Sequence, residues 1–518
     1  MRVIGSPALL VFFQIALAGP HVWPNPQLDY LERLRFDQEG YHSADLTGRL
    51  QPCGFDVSIP EGDLSSAADW IRTVCAFHQP SLADDMATHN VATGTGGLDG
   101  SIRFAEEQAR PEARKLISVM PWLLLTLHES GGPEMPFRGG RVDALVPNDP
   151  GIPQPHHDID TLTAIFAKQG FNSTEMIGLV ACGHTIGGVR QAAVPDDVPF
   201  DSTFVTFDNK VASEYIAGTT TNPLVVNSDD TMNSDKRVFA SDGNATMTSF
   251  ASNADLFMST CAYLLTRMID TVPAGVTLTP VIEPLRVKPE IDEFLYMGDG
   301  TLKIRGLLRL WDVNTELEHP AVSMRWKNLN GTLSNEIINL KHETRMIGST
   351  IHKGQRISTA WYWFPEEQAN IVLDEARGIS SLAFTVDGQQ EHQGGLGFAI
   401  DDTVLFAASS CTSNPNSIYG RIDVAVRCNL SPSKVYIKSY AFDSETAELI
   451  TEEFALSLSS SSAAGSYEIW SVSLGATTGV PVAQLPGPCS GRQLHALLAW
   501  PRVCSPQPSS MLVAKSRC

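Results

Sequence analysis

The hydrophobic period of this chain changes once, near residue 275, and that change limits what it can fold into. Before it, apolar residues recur at helical spacing over Ala67–Arg72, Asp158–Lys168, Glu175–Gly187 and Ala251–Asp270. After it come short alternating runs, Thr301–Arg305, Ala321–Trp326, Lys434–Lys438 and Ser466–Ser473, separated by Gly, Asn, Asp and Ser. A helical period buries a stripe and a period of two buries a sheet face, so the two halves need different layers. Pro273, Pro280, Pro284 and Pro289 punctuate the join. At 518 residues the chain also exceeds what one compact core supports. The reading is a multidomain protein, a mainly α domain followed by an all-β, sandwich-like domain. Its divisions are a signal peptide at 1–18, a helical domain at 19–275, a linker at 276–290, a β-rich domain at 291–480 and a Cys-containing tail at 481–518.

The first eighteen residues set the expected compartment. Arg2, an apolar stretch from Ala8 to Leu17 and Ala16-Leu17-Ala18 before Gly19 have the layout of a cleaved secretory signal, too short to span a bilayer. Sequons at Asn172, Asn244, Asn330 and Asn429 fit a secreted, extracellular glycoprotein. A net charge of −21 argues against nucleic acid and anionic membranes as partners. Nine cysteines in such a compartment imply disulfides and at least one unpaired thiol. Cys411 and Cys428 flank a turn-rich stretch and make a plausible local pair, while Cys182 reads as a bridge or a packed thiol.

The strongest local signal lies in Glu175–Gly187 (EMIGLVACGHTIG). Asn172 is placed to cap a helix and Glu175, three residues on, to return the hydrogen bond. Met176, Ile177, Leu179 and Val180 supply its buried face, so His184 near its end is held rigidly. A histidine alone in such a place is more often a core residue than a ligand. Its neighbours argue otherwise.

This stretch resembles the proximal helix of the plant, fungal and bacterial haem peroxidase superfamily, whose iron-ligating histidine sits in an [AG]-H-[TS]-[IL]-G context. Gly131–Asp143 (GGPEMPFRGGRVD) resembles that superfamily's G-G-P-x-[IV]-P-[WF]-x-x-G-R-x-D segment, and the similarity covers roughly residues 45–275. It implies a secreted fungal-type peroxidase: an oxidoreductase that holds haem b and reduces hydrogen peroxide while oxidising a small or phenolic donor. His184 would ligate the iron, and Asp235, in Asn233–Phe239, would be the carboxylate behind it, making the imidazole more anionic. Two calcium ions are implied. The proximal one would take Thr185, Asp201, Thr203, the Thr206 carbonyl and Asp208, and the distal one Gly97, Asp99, Ser101 and, by substitution, Asp85. A monomer, with no nucleic-acid or membrane partner, completes the expectation.

The distal acid–base pair departs from the family's R-x-x-[FW]-H. Arg72 and His78 are the candidates, for charge stabilisation and proton transfer. A four-residue step keeps both on one helix face, whereas six residues turn about 240°. Val74-Cys75 and Gln79–Asp84 read as insertions, with Pro80 where the helix should continue, and His89 lacks the preceding aromatic. Where the family has asparagine after R-P-E, Ala113 stands. The alternative is therefore a catalytically impaired haem-fold glycoprotein acting as a binding protein. A zinc hydrolase built on His156-His157-Asp158 is a third reading, weighed against a simple helix cap.

Overall fold

The computed structural model describes residues 21–36, 85–108, 131–190, 197–313, 319–353, 355–365, 370–412, 420–430, 432–443, 448–461, 465–473 and 512–517. Arg72, His78 and the signal segment lie outside the described residues, as do Ala67–Arg72, Val74-Cys75 and Gln79–Asp84.

Seven helices matter for the site: α1 (Pro26–Phe36), α2 (Ile159–Lys168), α3 (Ser173–Gly183), α4 (Lys210–Ala217), α5 (Ser234–Ala240), α6 (Ala245–Ser252) and α7 (Ala254–Ile269). Their starts follow local chemistry. Asp158 caps α2 through the Thr161 N–H at 2.8 Å. Asn172 and Glu175 form the reciprocal capping pair on α3, each bond 2.9 Å. The expected single helix over Ala251–Asp270 is instead split. Asn253 takes an extended backbone and caps α7 through Leu256 N–H at 3.0 Å, ending α6 one residue earlier. An asparagine inside an apolar period is a stop signal wherever its side chain can replace a helical hydrogen bond.

Helix α3 runs through the middle of the helical core, where Met176, Ile177, Ala181 and Cys182 are fully buried. It approaches α7 so closely that a Cβ on Gly178 would stand 2.7 Å from Leu264 Cδ1. A disulfide joins the same two helices through Cys182 and Cys261, Cα atoms 5.4 Å apart.

From Val287 onward strands take over. One sheet of ten strands runs in the order Ser457–Ser461, Tyr467–Ser473, Gly420–Arg427, Val404–Ala407, Val287–Tyr296, Thr301–Trp311, Gln355–Phe364, Lys341–His352, with Ile371–Asp374 and Cys411–Thr412 attached beside it. A second, five-stranded sheet centres on Val322–Lys327 paired with Ser381–Val386. Leu302, Leu308 and Phe364 of the first sheet share one apolar cluster with Met324, Leu382 and Phe384 of the second. Alternation produces this: Val322–Lys327 buries every other residue.

Cys411 and Cys428 do not pair, and Cys428 is a free, exposed thiol. Cys411 faces Arg421 at one end of the strand Gly420–Arg427 and Cys428 follows the other end. Seven strand residues span about 23 Å, against the roughly 7 Å limit for a bridge.

The stretch after α7 is held by main-chain bonds to the helical half, including Ala274 N–H to Gly94 O at 2.7 Å and Ile282 N–H to Phe137 O at 2.8 Å. Helix α1 packs Leu28, Leu31 and Phe36 against the helical core and also docks on the strands. Its Glu32, wholly buried, meets Lys288 Nζ at 2.6 Å and the Arg309 guanidinium. Burial alone would raise the Glu32 carboxyl, but the two cations hold it down at about 2.

Candidate functional site

His184 closes the C-terminal end of α3, its N–H bonded to Val180 O at 2.9 Å. Its ring Nδ1 lies 2.7 Å from Asp235 Oδ2, while among the described residues Nε2 has no hydrogen-bond partner. Asp235 stands in the first turn of α5 and is almost entirely buried. A buried carboxylate needs donors, and it has two on the same oxygen: His184 and the Asn222 amide, Nδ2 to Oδ2 2.8 Å. Ser234 Oγ reaches Oδ1 at 3.4 Å.

Two residues on from Asp235, Arg237 anchors the same helix. Its guanidinium donates to four main-chain carbonyls, those of Pro155, His157, Asp230 and Thr231, and so ties α5 to two loops. The same contacts favour a helix cap over the zinc reading. The His157 carbonyl serves Arg237, its Nδ1 accepts from Gln154 N–H at 3.1 Å, and Asp158 is a helix cap. Among the described residues no group of three or more His, Cys, Asp or Glu side chains is arranged to hold a metal ion.

After His184 the chain makes a small ribbon, Gly188–Arg190 against Asp197–Pro199. Gly188 is required there, because a Cβ would meet Val198 O at 2.4 Å. The ribbon returns Phe200 to the histidine, the two rings stacked 4.1 Å apart at 8°. One position further, Asp201 enters an oxygen cluster. Thr203 Oγ1 donates to Asp208 Oδ1 at 3.1 Å, Thr203 N–H to Asp201 Oδ1 at 2.9 Å, and Thr185 Oγ1 to Asp208 O at 2.5 Å. Thr206 N–H bonds Thr203 O at 2.6 Å, folding that turn beside them. All five expected proximal residues are thus neighbours. Buried Asp201 Oδ2 has no partner among the described residues. Burial, with the nearby Asp208 and Glu214 charges, pushes this carboxyl up to about 7. An orphaned buried carboxylate oxygen among hydroxyl and carboxylate donors fits a hard cation.

The second oxygen cluster gathers Asp85, Gly97, Asp99 and Ser101. Asp85 Oδ1 accepts from Ser101 Oγ at 3.2 Å and Ile102 N–H at 3.3 Å, and Oδ2 from Gly100 N–H at 2.9 Å. Gly97 O accepts from Asp99 N–H at 2.8 Å. Burial and the Asp99 charge raise the Asp85 carboxyl to about 6. Here protein donors fill the set. Asn148 Nδ2 stands 3.0 and 3.1 Å from the Asp99 oxygens, 2.9 Å from Ser101 Oγ and 3.1 Å from Thr88 Oγ1. The residue types suit a cation, but among the described residues no buried Asp85 or Asp99 oxygen is left without a partner as Asp201 Oδ2 is. Nearby, His89 is engaged by the Gly96 carbonyl, Nδ1 to O 3.1 Å.

Sequence reasoning missed Phe200, Asn222, Arg237 and Asn148. Phe200, next to Asp201, could have been suspected from the ligand motif, whereas the others carry no spacing signal.

Comparison with known proteins agrees with this geometry. A family model described as peroxidase matches residues 124–259. A WSC domain-containing protein of Arthroderma benhamiae is 36% identical over 336 residues, 58% of this chain and 45% of that protein. The peroxisomal L-ascorbate peroxidase 5 of Arabidopsis thaliana is 27% identical over 165 residues, 28% of this chain and 59% of that protein. A mitochondrial cytochrome c peroxidase of Cryptococcus neoformans is 31% identical over 147 residues, 24% and 39% respectively. The chain therefore spans about half the length of these relatives. His184 and Asp235 both fall inside the matched stretch, and the segment that contains them belongs to the peroxidase superfamily shared by plants, fungi and bacteria.

Proposed function

We propose that this chain is a secreted haem peroxidase that reduces hydrogen peroxide and oxidises a small or phenolic donor. The observation that carries the reading is the His184–Asp235 pair at 2.7 Å, with no hydrogen-bond partner on Nε2 among the described residues. A neutral imidazole whose far nitrogen is fixed by a carboxylate is what an iron ligand requires. Haem b, when bound, supplies an iron with one open position at which peroxide can react. His184 would hold it, Asp235 would increase the imidazole's electron donation, and Phe200 would fix the ring plane. His78 would be the group that accepts and returns a proton toward peroxide, and Arg72 would supply positive charge beside it. Thr185, Asp201, Thr203, Thr206 and Asp208 would hold a calcium ion that braces the loop after His184. For the distal ion the Asn148 contacts argue against occupancy. The β-rich half is read as a sandwich because its two sheets share one apolar cluster. Secretion and glycosylation rest on the Arg2–Ala18 segment and the four sequons.

The visible spectrum of the purified protein tests the reading directly: a Soret band is expected, and His184→Ala should lose it. An undiminished band in that variant would remove the central claim. A second reading, an impaired haem-fold binding protein, is favoured by the six-residue step between Arg72 and His78. Stopped-flow mixing with peroxide separates the two. The chain as written should react slowly, and deleting Val74-Cys75 and Gln79–Ala83 should speed the reaction by orders of magnitude. Equally fast rates would show that the spacing is no obstacle.

A further inference from the structure

The carboxylate behind His184 is shared, and the second claimant is built in. Asn222 is 1% exposed, and its amide donates to the very oxygen of Asp235 that faces the histidine. The amide's orientation is settled by its other end. Asn222 Oδ1 accepts from Leu224 N–H at 2.8 Å, so the nitrogen is the atom turned to Asp235. The backbone is fixed as well, Asn222 N–H bonding Thr220 Oγ1 at 3.1 Å and its carbonyl accepting from Val225 and Val226. A neutral donor on a buried carboxylate makes a strong, charge-assisted bond. It withdraws part of the negative charge that would otherwise polarise the His184 N–H. Ser234 reaches the other oxygen only at 3.4 Å, too long to matter comparably.

We propose that Asn222 is a positioning residue that limits how anionic His184 becomes, and so sets the reduction potential of the iron it would hold. The inference rests on the haem reading above. With the amide in place, Asp235 pulls less on the histidine proton, the ligand donates less, and the ferrous state is less disfavoured. Removing the amide reverses each step.

The experiment is spectroelectrochemical titration of the haem-loaded full chain, Asn222→Ala and Ser234→Ala. In Asn222→Ala the ferric form should gain about tenfold over the ferrous, about 59 mV downward for one electron, with Ser234→Ala close to the parent. Asn222→Thr, whose hydroxyl keeps an acceptor for Leu224 N–H without the amide, serves should the alanine variant not fold. A parent without a Soret band overturns the haem reading and this proposal together. A loaded variant with an unchanged potential overturns this proposal alone. So does a variant that loses haem while the parent keeps it, or an equal shift in Ser234→Ala, because either would make Asn222 merely structural.

Discussion

Two oxygen clusters in the helical half are built from the same residue types and end in opposite states. Around Asp201, hydroxyls and a second carboxylate converge, and Asp201 Oδ2 finds no donor among the described residues. Around Asp85 and Asp99, main-chain N–H groups and the Asn148 amide reach the oxygens, and no buried one is left without a partner among the described residues. Glu32, at the docking face of α1, is a third case, equally buried but facing Lys288 and Arg309. The carboxyl is pushed to about 7 at Asp201, to about 6 at Asp85 and down to about 2 at Glu32. Burial is common to all three, so the partner decides the sign. A list of oxygen-bearing residues therefore does not define a cation site. A buried oxygen left without a donor, as Asp201 Oδ2 is among the described residues, marks the better candidate.

The comparison can be broken most forcefully at Glu32. Glu32→Ala leaves Arg309 and Lys288 buried without their carboxylate and should cost about 3–5 kcal/mol, measured by denaturant unfolding. The same ion cluster should respond to acid. Its folded-state pKa is depressed below 4.5, so its contribution is present above that value and is lost as pH falls from 4.5 toward about 2. A thermal midpoint independent of pH across that window would show that the cations do not compensate Glu32.

Calcium gives the next largest effect. Saturating the proximal cluster at one hundred times its Kd should add about 2.7 kcal/mol. Calorimetry with calcium and then with a chelator reads this as a shift in Tm, and Asp201→Ala should abolish it. Metal analysis should return one calcium per chain. Two would mean that Asn148 is displaced on loading and that the contrast between the clusters is false.

A smaller cost is expected for Asn148→Ala, about 1–3 kcal/mol for buried oxygens left without a donor, and it should be the same with and without calcium. A calcium-dependent cost would place an ion in the distal cluster after all. The smallest effect is Asn172→Ala, about 1 kcal/mol for a lost cap. It acts on the helix that carries His184 and should leave the calcium response of Tm unchanged.

Much of this was legible in the chain. The capping pair Asn172–Glu175, the buried face of α3 and the alternating strand Val322–Lys327 follow from side chains within a few residues of one another. His184 and Asp235, 51 positions apart, were legible as a pair only because they stand in recognisable motifs. The expected pairing of Cys411 with Cys428 failed, because closeness in sequence is not closeness across an extended strand.

What the sequence alone determined is the local part: the change of period near 275, the capped starts at Asp158 and Asn172, and the residue types near His184. Those depend on spacing and on hydrogen bonds a side chain makes to its own neighbourhood. Only the tertiary structure decided which donor meets which carboxylate. Asn222 reaches Asp235 across 13 residues, Asn148 reaches Asp99 across 49, and Arg309 reaches Glu32 across 277. None has a periodic signature, because each is set by where packing leaves a buried charge in need of a partner.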